Sequence, residues 1–341
     1  MLVDFRRTFL SLVCTALLPS CAALATPSKV MAASMDGIHP DEIRHPVPND
    51  LSRFQQPAGL REDLKRIQTG TMEERLAALA DKARRDLVFV PGGTFQMGDF
   101  GPLNSQEQLP WDSNSDSSPL HDVTLDSYSI SKYKVTLAEF DLYAEVNKVP
   151  SVQMDEVHTM VLEGEPSYRS RLDRPAGTTW HQAKAYCQWL GKLADQPFDL
   201  PTEAQWEYAA RNRGKFIVYP TNNGKLEWNV NVPSYALVKA LGGGPFPIAL
   251  FPPTPLGLYD LAQNSLDWVE DWYAEDYYDT SPASNPTGPS AGTEKVQRSW
   301  PYSNSGAAMT MHRRQKLPTP KTRSTTLDGF RCAVHSASRV R

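Results

Sequence analysis

The sequence lacks several features that mark common functional classes. Its 341 residues carry a net charge of −4, whereas a nucleic-acid-binding protein normally presents a basic face, so nucleic acid is not the expected partner. It has no glycine-rich phosphate-binding loop of the GxxxxGK[ST] type. Its seven histidines show no HxxxH spacing, which argues against a zinc site built on one helix.

Cysteine is also scarce, with four residues at positions 14, 21, 187 and 332. The first two lie close to the N-terminus, in a segment that has the pattern of an export signal. Cys187 and Cys332 would therefore remain in the exported chain. In an oxidising compartment two cysteines suggest one disulfide, and the alternative is a pair of separate buried thiols.

Proline, glycine and aromatic residues are abundant. The chain has 28 Pro and 20 Gly, which favour turns, together with 8 Trp and 13 Tyr. A disordered chain would contain few aromatic residues. The composition therefore predicts a loop-rich globular protein stabilised by ring packing, and the length suffices for one large or two small domains.

The N-terminal export pattern has three parts. Arginines at positions 6 and 7 precede an apolar stretch, Thr8–Ser20, which is too short to span a bilayer. An A-x-A cleavage pattern follows and ends at Ala25, so we expect residues 1–25 to be a signal peptide and the protein to be periplasmic or secreted. The alternative is an outer-membrane lipoprotein, because residues 18–21 (LPSC) roughly resemble a lipobox. Lipidation at Cys21 would then place the protein at a membrane.

The rest of the chain divides into residues 26–86 and residues 87–341. Residues 26–54 are polar and proline-rich, which indicates an extended arm, and residues 59–86 have leucines at helical spacing. From residue 87 onward short β patterns alternate with helical ones. We predict a helical extension followed by a larger α+β domain. Its predicted helices, each capped by a threonine, are residues 135–147, 179–193 and 202–211.

Six segments between residues 87 and 335 resemble, in order, the motifs of the formylglycine-generating enzyme family, also called the sulfatase-modifying factor family. The resemblance implies a single α+β domain, loop-rich and C-type-lectin-like, with a short N-terminal helical extension. In several members the cysteine of AYC pairs with the cysteine of GFRC, which here are Cys187 and Cys332. The six segments are VPGGTFQMG (90–98), PLHDVT (119–124), YKVTLAEF (133–140), the run from WHQAKAYCQWLGKL to LPTEAQWEYAAR (180–211), PPTPLGLYDLAQNSLDWVEDW (252–272) and GFRC (329–332).

The resemblance also implies structural calcium. One family site corresponds here to the side chains of Asp260 and Asp267 and the carbonyls of Gln263 and Ser265, which are hard oxygen donors that suit Ca²⁺. The alternative is that the two carboxylates accept hydrogen bonds from turn amides. For a second calcium site, Asn229 and the Val230 carbonyl match, and the remaining ligands are not identified. We therefore expect calcium to stabilise the protein.

The paired cysteines of the family's catalytic site are missing. The enzymes carry RGGSF followed by two cysteines, whose thiolates bind Cu(I). Aligned on Arg298, this sequence has Asn304 and Met309 at the two cysteine positions. We therefore predict no catalytic residue and no copper. Instead, Arg298, Trp300, Tyr302 and Asn304 would line the pocket.

Two further interpretations concern the residues after the pocket. Met309 and Met311 could supply thioether ligands to Cu(I), with His312 nearby. The plainer interpretation is an apolar loop in which methionine fills gaps.

Three functions are consistent with these residues. The favoured one is an exported, non-catalytic protein that binds or regulates an unidentified protein partner, by analogy with cysteine-less family members that accompany type VI secretion clusters. The second is a diverged metal-dependent oxidase with other metal ligands. The third is a formylglycine-generating oxidase that acts on a protein cysteine, and the missing cysteines argue against it.

Overall fold

The computed structural model describes residues 44–152, 172–300, 309–317 and 327–340. These residues belong to one compact unit, which extends from residue 39 to residue 341. The predicted signal peptide and the first part of the arm lie outside the described residues, as do Tyr302 and Asn304. No helix within the described ranges is both long enough and apolar enough to cross a bilayer.

The helices begin where the sequence supplies caps. Thr136 accepts a hydrogen bond from the N–H of Glu139, and the Glu139 carboxylate accepts one from the N–H of Thr136, which is the predicted capping box. Thr179 and Thr202 cap the next two long helices in the same way. The helices are α1 (Ala58–Gln68), α2 (Met72–Arg85), α3 (Gly101–Asn104), α4 (Leu137–Asn147), α5 (Trp180–Ala194), α6 (Glu203–Ala210) and α7 (Tyr235–Ala240).

The strands are short and form three small sheets. One sheet has the order β1-β4-β10-β5, a second pairs β2 with β3, and a third has the order β8-β7-β6-β9. All neighbours are antiparallel except β6 and β9, which are parallel. The strands are β1 (Leu87–Val90), β2 (Gly93–Met97), β3 (His121–Leu125), β4 (Tyr128–Ser131), β5 (Phe198–Asp199), β6 (Leu266–Trp272), β7 (Lys295–Arg298), β8 (Arg314–Lys316), β9 (Asp328–Phe330) and β10 (Ala333–Val334).

A disulfide links α5 to the segment between β9 and β10. Cys187 and Cys332 are bonded, with their Cα atoms 5.6 Å apart, and both are fully buried. The predicted pairing is therefore confirmed, and the alternative of two separate thiols is wrong.

Aromatic rings pack around this bond. The ring of Tyr186 lies 5.9 Å from that of Phe140 and 5.5 Å from that of Phe330, measured between centroids. We call these residues, with Tyr143, Cys187 and Cys332, the disulfide core. The rings fill its interior, so apolar burial and the covalent link contribute to its stability.

The helical extension is part of the same interior. Ile67 of α1 and Leu79 of α2 are buried in the cluster that contains Phe140 and Tyr186. Leu60 and Leu64 pack near Tyr133 in an adjoining cluster. Residues 58–85 therefore pack against the larger domain and complete its core.

Candidate functional site

Two carboxylates and three guanidinium groups form a buried layer at the end of β7. We call Glu203, Glu207, Arg211, Arg298 and Arg313 the ionic layer. The two glutamates lie four residues apart in α6 and so project from the same face of the helix. Each of the five side chains is at most 1% exposed.

Arg298 joins the two glutamates of this layer. Its Nη1 lies 2.8 Å from Glu203 Oε1, and its Nη2 lies 2.9 Å from Glu207 Oε2. Arg313 Nε also donates to Glu203 Oε1, at 2.8 Å, and Arg211 Nη1 donates to Glu207 Oε1 at the same distance. Burial alone would raise the pKa of Glu203, but the charges of Arg313 and Arg298 outweigh it and hold the pKa below its usual value. Glu203 is therefore an ionised structural partner and not a proton donor.

Asp271 lies beside this layer in β6. The N–H of Glu203 donates a hydrogen bond of 2.7 Å to Asp271 Oδ2. Burial, and then the negative charge of Glu203, raise the pKa of Asp271 to about 8. The side chain is buried, so this proton belongs to the interior and is not presented to a ligand.

Of the four predicted pocket residues, Arg298 and Trp300 are described. Arg298 is fully buried and bound by two carboxylates, so its charge supports the end of β7 from within and is not offered to a ligand. Trp300 is half-buried, and its ring packs near Val232 and Ala262. The predicted residues Tyr302 and Asn304 lie outside the described residues.

The residues after the pocket segment are buried. Met309 and Met311 pack in an apolar cluster with Phe100. This placement matches the interpretation of methionine as a gap filler. His312 donates or accepts through Nδ1, which lies 2.7 Å from Asp112 Oδ2.

The histidine and aspartate pair was not predicted. Asp112 also accepts a hydrogen bond from the N–H of Asn114, and the edge of the Trp300 ring faces His312 at 5.5 Å between centroids. Nε2 of His312 has no hydrogen-bond partner among the residues that the structure describes. A carboxylate that fixes one ring nitrogen orients the other, an arrangement that suits proton transfer or ligation. The two residues are 200 positions apart, so no local pattern links them.

Two of the predicted oxygen ligands for calcium contact a lysine. Lys134 Nζ lies 2.8 Å from Asp267 Oδ1 and donates a hydrogen bond of 2.9 Å to the Ser265 carbonyl. Burial lowers the pKa of Lys134 to about 8, although the charge of Asp267 opposes this shift. Lys134 is therefore still protonated at neutral pH. As arranged, these residues do not fit a calcium ion.

At the second predicted calcium position, both oxygens of Asn229 accept hydrogen bonds from other groups of the protein. The guanidinium of Arg53 donates to the carbonyl of Asn229. The side chain of Asn229 accepts from the N–H of Ser234 at 2.8 Å and donates to the carbonyl of Pro46 at 3.1 Å. Val230 follows with its side chain exposed. Among the described residues no group of three or more His, Cys, Asp or Glu side chains is arranged to hold a metal ion.

Large apolar side chains are exposed on the loop that leads to Asp112. Leu103 is 65% exposed and Leu109 is 62% exposed, and Trp111 is partly exposed beside them in sequence. Phe216, also exposed, stacks on Phe100 at 4.9 Å between ring centroids. Because Asp112 bonds to His312, this apolar surface adjoins the histidine pair.

Comparison with known proteins places the chain among related domains. The sulfatase-modifying factor enzyme 1-like domain matches residues 74–336. The serine/threonine-protein kinase Pkn1 of Chlamydia trachomatis is 27% identical over 261 residues, and the match covers 73% of this chain. This chain spans 38% of the length of that kinase, so the likeness concerns a part of the larger protein.

Two further relatives match more of their own length. The formylglycine-generating enzyme of Streptomyces coelicolor is 29% identical over 301 residues, which cover 75% of this chain and 91% of the enzyme. The protein named inactive Cα-formylglycine-generating enzyme 2 of Bos taurus is 27% identical over 230 residues, which cover 55% of this chain and 71% of the relative.

A solved structure has the same fold. The structure of PvdO from Pseudomonas aeruginosa superposes with a TM-score of 0.58 at 25% identity, over 73% of this chain and 94% of PvdO. The predicted α+β domain with a formylglycine-generating enzyme-like fold is therefore confirmed.

Proposed function

The chain belongs to the sulfatase-modifying factor enzyme 1-like family, and we propose that it is an exported, non-catalytic member that binds or regulates another protein. The observation that carries this proposal is the bond between Cys187 and Cys332. They are the sole cysteines after residue 21 of the sequence. The body of the protein therefore keeps no free thiolate for Cu(I).

The residues at the two cysteine positions do not replace this chemistry. An asparagine at position 304 offers an amide, which is a poor ligand for a soft ion. Met309 is buried in the apolar cluster with Phe100 and Met311. The family also includes a relative that is named inactive, which supports loss of activity on a retained fold.

The exposed apolar loop supports the binding part of the proposal. Leu103, Leu109, Trp111 and Phe216 are exposed apolar side chains, and exposed apolar patches mark sites of protein interaction. Aromatic residues are enriched at such interfaces. We infer that the partner is a protein that covers this loop.

Export is part of the proposal as well. Residues 1–25 have the pattern of a signal peptide, and a disulfide persists in an oxidising compartment. The alternative of lipidation at Cys21 and the type VI secretion setting stay predictions.

The catalytic part is tested by copper loading and oxygen uptake. The purified chain is loaded with Cu(I), its copper content is measured, and oxygen consumption is recorded with a peptide that contains Cys-x-Pro-x-Arg. The Streptomyces coelicolor enzyme is the positive control. We expect neither stoichiometric copper nor oxygen uptake, and turnover of the peptide would overturn the proposal.

The binding part is tested by site-specific photocrosslinking in the producing cell. A photoreactive residue is placed at Trp111, and the matched control carries it at Lys192, which is exposed on α5. We expect a discrete protein adduct from position 111 and none from position 192. Equal labelling from both positions would contradict a docking role for the loop.

A second candidate is a diverged metal-dependent oxidase, and the Asp112–His312 pair favours it. Carboxylate-bound histidine is the common arrangement of a metal-ligating histidine. In that case iron or copper would copurify in stoichiometric amount, and His312→Ala would remove it. Wild-type protein free of both metals after loading would exclude this candidate.

A further inference from the structure

Lys134 contacts two of the oxygens that the sequence assigns to calcium. It precedes α4 and is fully buried, and its Nζ contacts both the Ser265 carbonyl and Asp267 Oδ1. Two of the four expected ligand oxygens are therefore bound by an ammonium group. The ammonium supplies positive charge at the place where a calcium ion would supply it.

Both oxygens of the Asp267 carboxylate already lie beside donors or cations of the protein. Its Oδ2 accepts hydrogen bonds from Trp206 Nε1 and from Arg331 Nε, both at 2.9 Å. Its Oδ1 faces Lys134. The Asp267 carboxylate therefore already balances the charges of Lys134 and Arg331. A calcium ion beside them would add repulsion between cations in a region of low dielectric.

Asp260 is held by the backbone. Its Oδ2 accepts the N–H of Ala249 at 2.7 Å, as the alternative interpretation of these carboxylates expected. The cavity next to Asp260 and Gln263 has a volume of about 20 Å³, which is room for about one water-sized group. A calcium ion at this position would therefore have to share Asp260 with the N–H of Ala249, and Asp267 with Lys134 and Arg331.

At the second expected calcium position, Asn229 is bound by other groups of the protein. Arg53 donates to the carbonyl of Asn229, and the Asn229 side chain is occupied by Ser234 and Pro46. At this position the side-chain oxygen of Asn229 already accepts a hydrogen bond from the N–H of Ser234.

We propose that Lys134 takes the place of a calcium ion beneath the Asp260–Asp267 loop. The loop is held by a cation that belongs to the chain, so its stability does not depend on the free calcium concentration. This conclusion is independent of the proposed function, and it reverses the expectation that calcium stabilises the protein.

The test is thermal unfolding of the full exported chain with excess EDTA and with millimolar Ca²⁺. The melting temperature of the wild type stays the same in both conditions. Lys134→Ala melts at a lower temperature in EDTA, because Asp267 loses a counterion, and calcium restores most of the loss. Magnesium does not restore it, since Mg²⁺ prefers a smaller octahedral site with several waters.

Lys295→Ala is the matched control. Lys295 is also a buried lysine, but its Nζ contacts the Glu270 carbonyl and lies between the rings of Trp180 and Trp272. This variant melts at a lower temperature with no response to calcium.

Two results would overturn the proposal. One is a wild-type melting temperature that rises with calcium and loses this rise in Asp260→Ala. The other is a Lys134→Ala variant that melts at a lower temperature than the wild type and whose melting temperature does not change with calcium. If Lys134→Ala does not fold, equilibrium dialysis of the wild type against Ca²⁺ replaces the melting experiment. Stoichiometric calcium binding that Asp260→Ala abolishes would contradict the proposal. The absence of calcium binding would support it.

Discussion

The disulfide core and the ionic layer are equally enclosed, yet different forces stabilise them. In the disulfide core, rings such as Phe140 and Tyr186 pack at 5.9 Å between centroids around a covalent link. In the ionic layer, Arg298 and Arg313 each bind Glu203 at 2.8 Å with at most 1% exposure. The first gains free energy by removing apolar surface from water, and the second depends on each buried charge keeping its partner.

This difference teaches how the two regions tolerate change. An apolar core loses stability roughly in proportion to the volume that is removed. A buried ion-pair layer loses much more stability when one charged partner is removed, because the other charge then stays buried without a counterion. Replacing the whole set by apolar residues would cost less. In this protein the end of β7 is therefore stabilised by charges that cannot be removed singly without a large loss of stability.

Breaking the disulfide gives the largest expected effect. The bond closes a loop of 145 residues, for which chain entropy predicts a loss of about 5 kcal/mol in the free energy of unfolding. Cys187→Ser should therefore lower the melting temperature and make it insensitive to reductant, and Cys332→Ser should behave alike. A wild-type protein whose melting temperature ignores reductant would show that the bond does not contribute in this way.

Removing Glu203 gives the next largest effect. Glu203→Ala leaves Arg313 without a carboxylate and Arg298 with one, which should cost about 3–5 kcal/mol in urea unfolding. The matched control is Glu145→Ala, since Glu145 pairs with Arg75 at 3.0 Å but is half exposed. That loss should stay below about 1 kcal/mol. Similar losses in the two variants would contradict the distinction between buried and surface pairs.

The third effect is the pH dependence of stability that arises from Asp271, beside the ionic layer. The pKa of Asp271 is about 8 in the folded protein and its ordinary value is 3.8. The folded state therefore holds a proton that the unfolded state has lost, so the free energy of unfolding falls as pH rises from about 4 to about 8. The slope from one group is at most about 1.4 kcal/mol per pH unit.

Asp271→Asn should remove this contribution. The asparagine carbonyl can still accept the N–H of Glu203, so the geometry is conserved. Compared with wild type, the variant should gain stability at pH 8 relative to pH 5, as followed by melting temperature at both values. Parallel pH profiles for the two proteins would show that Asp271 does not carry a proton near neutral pH.

Local patterns in the sequence predicted the disulfide core well. Helices α4 and α5 were predicted within two residues of their bounds, because threonine caps and helical periodicity act between neighbours. The pairing of Cys187 with Cys332 followed from the family resemblance. Helix caps and helical periodicity depend on residue type and spacing, which can be read from a single sequence.

The ionic layer and the histidine pair could not be predicted in this way. Glu203 and Arg298 are 95 positions apart, and Asp112 and His312 are 200 apart, so tertiary folding alone brings them together.

The smallest expected effect compares the caps of one helix from each region. Thr179 caps α5 of the disulfide core, and Thr202 caps α6 of the ionic layer, each in a capping box with a glutamine. Thr179→Ala and Thr202→Ala should each cost about 1 kcal/mol in urea unfolding, and the serine variants a few tenths, because a cap acts on its own helix. Equal losses of stability in the two variants would mean that the two regions differ in the side chains that their helices bury, and not in their caps. A loss of several kcal/mol for Thr202→Ala alone would instead show that the cap is coupled to Glu203, the residue that follows it.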